Sequence, residues 1–164
     1  RWWRARQIEP ERKRVPNLLS GEAPIIMVAV DTRHMDDPRH VALLRNVSLM
    51  LASGPEYRLI LTTVIAPDQS GGESAQLEHR VRLKHWAEPL KLPPERVTLH
   101  VLEDTDPANA LVEFARRNLV DLIALGAPGP DEAPMAWWRS VASTVTSHAH
   151  CSVHVVRLPR ILRG

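Results

Sequence analysis

The chain of 164 residues (18.5 kDa) is long enough to close one hydrophobic core and too short for two. Its 44% hydrophobic and 24% charged content excludes a disordered or fibrous class. The net charge is +2 and the pI about 9.1, yet the basic residues gather at the ends: residues 1–22 carry six basic and three acidic side chains, and Arg157, Arg160 and Arg163 follow the last strand. Residues 23–156 hold 12 basic against 16 acidic residues, which argues against a nucleic-acid-binding face.

Cys151 is the only cysteine, so an intrachain disulfide is excluded and a reducing, cytoplasmic setting is expected. No run approaches the roughly 18–20 apolar residues of a membrane span. The chain starts at Arg1 without the apolar segment of a secretory signal, and reads as a piece of something longer.

Residues 24–31 (PIIMVAVD) form a short continuous apolar run, the pattern of a strand buried on both faces of a parallel sheet. Asp37-Pro38 then supplies an N-cap and a proline at the first helical position. The helix predicted from there places Val41, Leu44, Val47 and Leu51 inward and stops at Gly54-Pro55. Residues 57–65 (YRLILTTVI) read as the second strand. After the loop 67–72, Ser70 and Glu73 resemble a capping box that opens a second helix through Leu77, Val81, Leu83, Trp86 and Leu90, closed by Pro93-Pro94.

Residues 97–102 (VTLHVL) alternate like an edge strand. Asp106-Pro107 repeats the cap-and-proline device before Leu111, Phe114, Ala115 and Leu119. Residues 119–125 (LVDLIAL) are a fourth apolar run, followed by a Gly- and Pro-rich loop with Trp137-Trp138. A helix with Val141, Val145 and Ala149 on one face comes next, and a fifth strand over 152–156. Five strands alternating with four helices predict a single doubly wound α/β domain: a mainly parallel five-stranded sheet with helices on both faces.

Ligands of such sheets collect beyond the C-terminal strand ends. The first turn (Asp31 to Asp36) contains no glycine and there is no GxxxxGK[ST], so the ordinary dinucleotide and P-loop readings fail. The turn after strand four is the remaining candidate. Gly126 and Gly129 let a backbone approach a phosphate, and after nine intervening residues Arg139-Ser140-Val141 opens a helix, with a hydroxyl beside unpaired amides.

The stretches 26–31 (IMVAVD), 61–64 (LTTV), 107–114 (PANALVEF) and 120–129 (VDLIALGAPG), with Ser140-Val141 and 149–157 (AHCSVHVVR), resemble a universal stress protein domain from about Pro24 to Arg157. The resemblance implies an adenine nucleotide alpha hydrolase-like fold, flanked by a basic connector (1–23) and a basic tail (158–164). It also implies a regulatory ATP-binding module of a bacterial stress response, with Mg²⁺ only as ATP's companion. Asp31 and Val64 would face adenine and ribose; Gly126, Gly129, Arg139, Ser140 and Val141 would lie at the phosphates. The family pattern has glycine where Arg139 stands, so Arg139 either blocks the phosphate or contacts it. Pro128 and Pro130 remove amide donors from the loop, and Asp131 and Glu132 add negative charge. The resemblance further implies a homodimer through the last strand (Ser152 to Val156).

Other candidates carry plainer readings. His148, His150, Cys151 and His154 are metal-ligand types that straddle a helix end and a strand, and no metal is assigned to them. Asp36, Asp37, Asp104 and Asp106 sit where caps are expected. His79 and His85 read as solvated or half-buried. No GxSxG or kinase catalytic motif occurs, so at most slow ATP hydrolysis is expected, with no nameable base. Residues 83–87 (LKHWA) and 92–96 (LPPER) resemble the stress-protein module fused to some bacterial serine/threonine kinases. The Arg- and Trp-rich start alternatively suits a transporter's juxtamembrane segment. The competing reading is a dimerisation or interaction module, attached to such a kinase or transporter, that binds no nucleotide.

Overall fold

A computed structural model of the chain describes residues 23–53, 56–67, 71–127 and 141–158. In chain order its elements are β1 (Ile25–Ala29), α1 (Pro38–Ser53), β2 (Arg58–Ile65), α2 (Glu73–Ala87), β3 (Val97–Glu103), α3 (Pro107–Arg117), β4 (Leu122–Gly126), α4 (Val141–His148) and β5 (Ser152–Val156). Two short 3₁₀ turns, Glu88–Leu90 and Pro94–Arg96, join α2 to β3. The five strands form one sheet in the order β3-β2-β1-β4-β5, with every pair parallel.

The apolar runs become strands because alternate side chains of β1 feed two separate cores. Ile25, Met27 and Ala29 pack with Leu111, Phe114, Val141 and Val145, so α3 and α4 cover one face. Ile26 and Val28, with Val30 just beyond β1, pack with Leu43, Val47, Leu83 and Trp86, so α1 and α2 cover the other. Entry into the sheet is pinned by a reciprocal pair: the Ile25 N–H donates to Asp121 Oδ2 at 2.7 Å, and the Asp121 N–H donates to the Ile25 carbonyl at 3.0 Å.

The aspartate–proline devices cap their helices. Asp37 Oδ1 accepts the Arg39 N–H at 2.9 Å, Asp106 Oδ1 accepts the Asn109 N–H at 3.1 Å, and Asp104 Oδ1 accepts the Asp106 N–H at 2.9 Å. Ser70 lies outside the described residues, and the capping box expected of it with Glu73 does not fit the helix start. Glu73 is the first residue of α2 and Gly72 is its N-cap, at φ +76° and without a side-chain cap, so Glu73 stands two positions too early to complete a box. Helix α2 ends at Ala87 rather than running to Pro93-Pro94. Strand β4 begins at Leu122 rather than Leu119, because Leu119 turns the chain out of α3 in the left-handed region (φ +51°).

The inward faces of α1 and α2 also differ from the apolar pattern. Val41, Leu77 and Val81 are exposed, while His40 and His79 are buried. The two histidines go inward because each finds a hydrogen-bond partner there, which removes the cost that normally keeps such a ring outside. Among the described residues no helix is long and apolar enough to cross a membrane.

Candidate functional site

The chain leaves β1 toward β2 on one side and has β4 on the other, so the strand order reverses between β1 and β4. Their paired ends, Ala29 beside Leu125, mark the point on the C-terminal edge of the sheet where the crevice of such folds lies. Asp31 stands just past β1 and is 5% exposed. Its Oδ1 accepts the Arg33 N–H at 3.1 Å and Arg33 Nε at 3.0 Å, while Oδ2 accepts Arg33 Nη2 at 3.2 Å and His34 Nδ1 at 3.2 Å. Burial pushes the Asp31 carboxyl up, but the Arg33 guanidinium and amide, with His34, outweigh it and hold the group below the usual carboxylate value. Asp31 is therefore an ionised acceptor at neutral pH.

The backbone around this carboxylate is clamped. His40 Nε2 donates to the Asp31 carbonyl at 2.9 Å, and the Val30 N–H donates to the Thr62 carbonyl at 2.9 Å. Helix α2 grips the same turn and the start of α1 through three side chains spaced along one face. His79 Nδ1 lies 2.7 Å from Thr32 Oγ1, Arg82 Nη1 donates to the Thr32 carbonyl at 2.9 Å, and Trp86 Nε1 donates to the His40 carbonyl at 3.1 Å. The buried hydroxyls of Thr32 and Thr63 meet at 2.8 Å. Sequence reasoning missed this grip. The available signal was the spacing of His79, Arg82 and Trp86, three and four residues apart, on a helix whose Leu77 and Val81 face solvent.

Val64 lies in β2 with its side chain enclosed in the core beneath α3 and α4. Its main chain is the part that reaches the crevice. Thr62 gives its carbonyl to Val30, and main-chain direction repeats every second residue. The N–H and C=O of Val64 therefore point toward the β1 side, past the last β1–β2 pair. Gly126 ends β4, and the following Ala127 N–H donates to the Val156 carbonyl at 2.9 Å. A Cβ at Gly126 would lie 3.6 Å from Arg39 Cβ and 3.9 Å from the Val156 carbonyl oxygen, ordinary contact distances. Packing among the described residues thus does not itself demand glycine there. Val141 opens α4 with its side chain in the core. Asp31, Val64 and Gly126 share the C-terminal edge of the sheet. Gly129, Arg139, Ser140 and Trp137-Trp138 lie outside the described residues, as does the segment 1–22.

The histidine and cysteine cluster separates. His148 Nδ1 donates to the Thr144 carbonyl within α4, while His154 Nε2 is hydrogen-bonded to Asn46 Oδ1 on α1. Cys151 is half-buried at the opposite end of the sheet, its thiol pushed up by burial and by Asp121. No group of three or more His, Cys, Asp or Glu among the described residues is arranged to hold a metal ion.

An open, all-parallel sheet with a strand-order reversal and helices on both faces defines the broad class, a doubly wound α/β domain. The chain belongs to the universal stress protein family, whose family model matches residues 23–157. Universal stress protein MJ0531 of Methanocaldococcus jannaschii is 43% identical over 54 residues, a match spanning 33% of this chain and 32% of that relative. Among solved structures, a universal stress protein in complex with cAMP has a TM-score of 0.56 at 20% identity, over 84% of this chain and 98% of that one. A universal stress protein family protein of Arabidopsis thaliana with AMP bound has a TM-score of 0.60 at 14% identity, over 84% and 94%. At these identities the structural likeness carries the fold.

Proposed function

We propose that this domain binds an adenine nucleotide in the β1–β4 crevice and works in the cytoplasm as a regulatory module, with ATP as the ligand. What supports this reading is an ionised acceptor, Asp31, just past the end of β1, together with the parity of β2, which turns the main-chain N–H and C=O of Val64 toward the β1 side. A donor and an acceptor side by side suit the edge of a purine. Across the crevice, Gly126 starts the loop toward Gly129, Arg139 and Ser140, where the phosphates would lie and Mg²⁺ would enter only with them. Complexes of related folds with cAMP and AMP support an adenine ligand.

Mass spectrometry of natively purified protein for co-purified nucleotide, followed by calorimetric titration with ATP, tests the reading. Saturable binding is expected, and its absence would sink it. Arg139→Gly strengthens ATP binding if Arg139 obstructs the phosphates and weakens it if Arg139 contacts them.

The second reading, a dimerisation or interaction module without nucleotide, rests on a specific feature: the Asp31 carboxylate already has all its acceptor directions filled from within the chain. Under either reading the outer edge of β5 (Ser152–Val156) is the proposed dimer seam, supported by its terminal position in the sheet among the described residues. Attachment to a kinase domain would make the crevice a regulatory input to that kinase.

A further inference from the structure

The four hydrogen bonds on Asp31 differ in how readily each can be exchanged. A carboxylate offers about four acceptor directions, and here all four are used. Three of the donors belong to Arg33, whose amide N–H, Nε and Nη2 close a ring on the carboxylate two residues before it. The Arg33 side chain is 19% exposed, so opening that ring would strip a buried carboxylate of its counter-charge. The fourth donor is His34 Nδ1, on a ring 47% exposed that can turn into water and keep its own hydrogen bonding. Moving the carboxylate instead is blocked, because the backbone on both sides of it is tied to Thr62, Thr63, His40 and Arg82.

Resting on the nucleotide-binding reading above, we infer that His34 is a gatekeeping residue of the base subsite: it occupies the acceptor direction of Asp31 Oδ2 that a bound adenosine must use. The ligand's N–H or O–H donor enters by replacing the imidazole, while the Arg33 ring stays closed and keeps Asp31 ionised. Affinity in the native chain is then the difference between the ligand's bond to Asp31 and the His34 bond it displaces. The arrangement favours ligands that bring a strong donor to this point.

Adenosine is the direct probe, because it carries no phosphate whose attraction would respond to a change in histidine charge. Calorimetric titration of adenosine and of AMP into the native domain, His34→Ala and His34→Phe tests the inference. Both variants lack the donor, and the second keeps an aromatic ring. Expected is tighter adenosine binding in both variants, by about three- to tenfold, with a parallel gain for AMP. General damage to the fold would weaken binding, so a gain is not a structural side effect. Native protein that binds while the variants bind equally or more weakly overturns the role of His34 and leaves the nucleotide reading standing. Native protein and variants that all fail to bind adenosine and AMP overturn both.

Discussion

His79 on α2 and Thr32 in the β1–α1 turn meet at 2.7 Å, Nδ1 to Oγ1, in a place closed to solvent. Thr32 is also bonded to Thr63 of β2, so this contact joins a helix, a turn and a strand at the rim of the crevice. Replacing His79 by Ala leaves a buried hydroxyl pair short of a partner and opens a void beneath α2. A loss of about 1–3 kcal/mol is expected, read as a lowered urea midpoint with an unchanged slope. His79→Asn, which can restore a partner to Thr32, recovers part of it.

His100 on the edge strand gives the domain a pH dependence with a defined sign. Its ring packs against Phe114 with centroids 5.0 Å apart, and burial, aided by the charge of Arg80, pushes its pKa from 6.5 down to about 4. The folded chain therefore refuses a proton that the unfolded chain accepts. Stability supplied by neutral His100 is complete above 6.5 and is lost as the pH falls from 6.5 through about 4. His79, also held below its ordinary value chiefly by burial, acts in the same direction. Thermal midpoints of the native chain are expected to drop across that window, and His100→Gln to show a shallower drop. Parallel profiles would remove His100 as the cause.

Leu119 holds a left-handed backbone, φ +51°, where α3 hands over to β4, with Val120 N–H bonded to the Ala115 carbonyl. A β-carbon in this region costs about 1–2 kcal/mol, against which stands the packing of a half-buried leucine. Leu119→Gly is expected to be neutral or stabilising by up to about 1 kcal/mol, whereas Leu119→Ile, branched at Cβ, destabilises by at least as much. Differential scanning calorimetry of the two variants gives the ranking.

Asp121 caps the entry of β1 by accepting the Ile25 N–H at 2.7 Å. Asp121→Ala leaves that amide, at a nearly buried residue, without its acceptor and is expected to cost about 1–3 kcal/mol. Asp121→Asn keeps a carbonyl oxygen in place and loses less. Amide hydrogen exchange at Ile25 is the local readout, faster in the alanine variant than in the asparagine one.

The sheet was legible because its strands are short, continuous apolar runs buried on both faces, and each aspartate–proline pair announced a helix start through its own hydrogen bonds. The position of Asp31 past the first strand was legible for the same reason. Its hydrogen-bond partners were not, since Arg33 and His34 carry no periodic signal and fold back on a residue two or three positions earlier. Helix faces were read wrongly where a polar ring goes inward: hydropathy sets Val81 on the apolar face and leaves His79 solvated or half-buried, whereas Val81 is exposed and His79 is buried on a hydrogen bond to Thr32. The crevice edge at Val64 was legible only in part. A sequence names the residue, whereas which of its groups faces the crevice depends on ladder parity.

The central claim is that an adenine nucleotide occupies the crevice between β1 and β4. Titration of the isotope-labelled domain with AMP, followed by amide chemical shifts, tests it most directly. Saturable shifts concentrated at residues 31–34, 64–66 and 126–127 are expected, with His34 ring signals moving in step. Absence of saturable shifts, or shifts gathered at the opposite end of the sheet around Asp121 and His150, would contradict it.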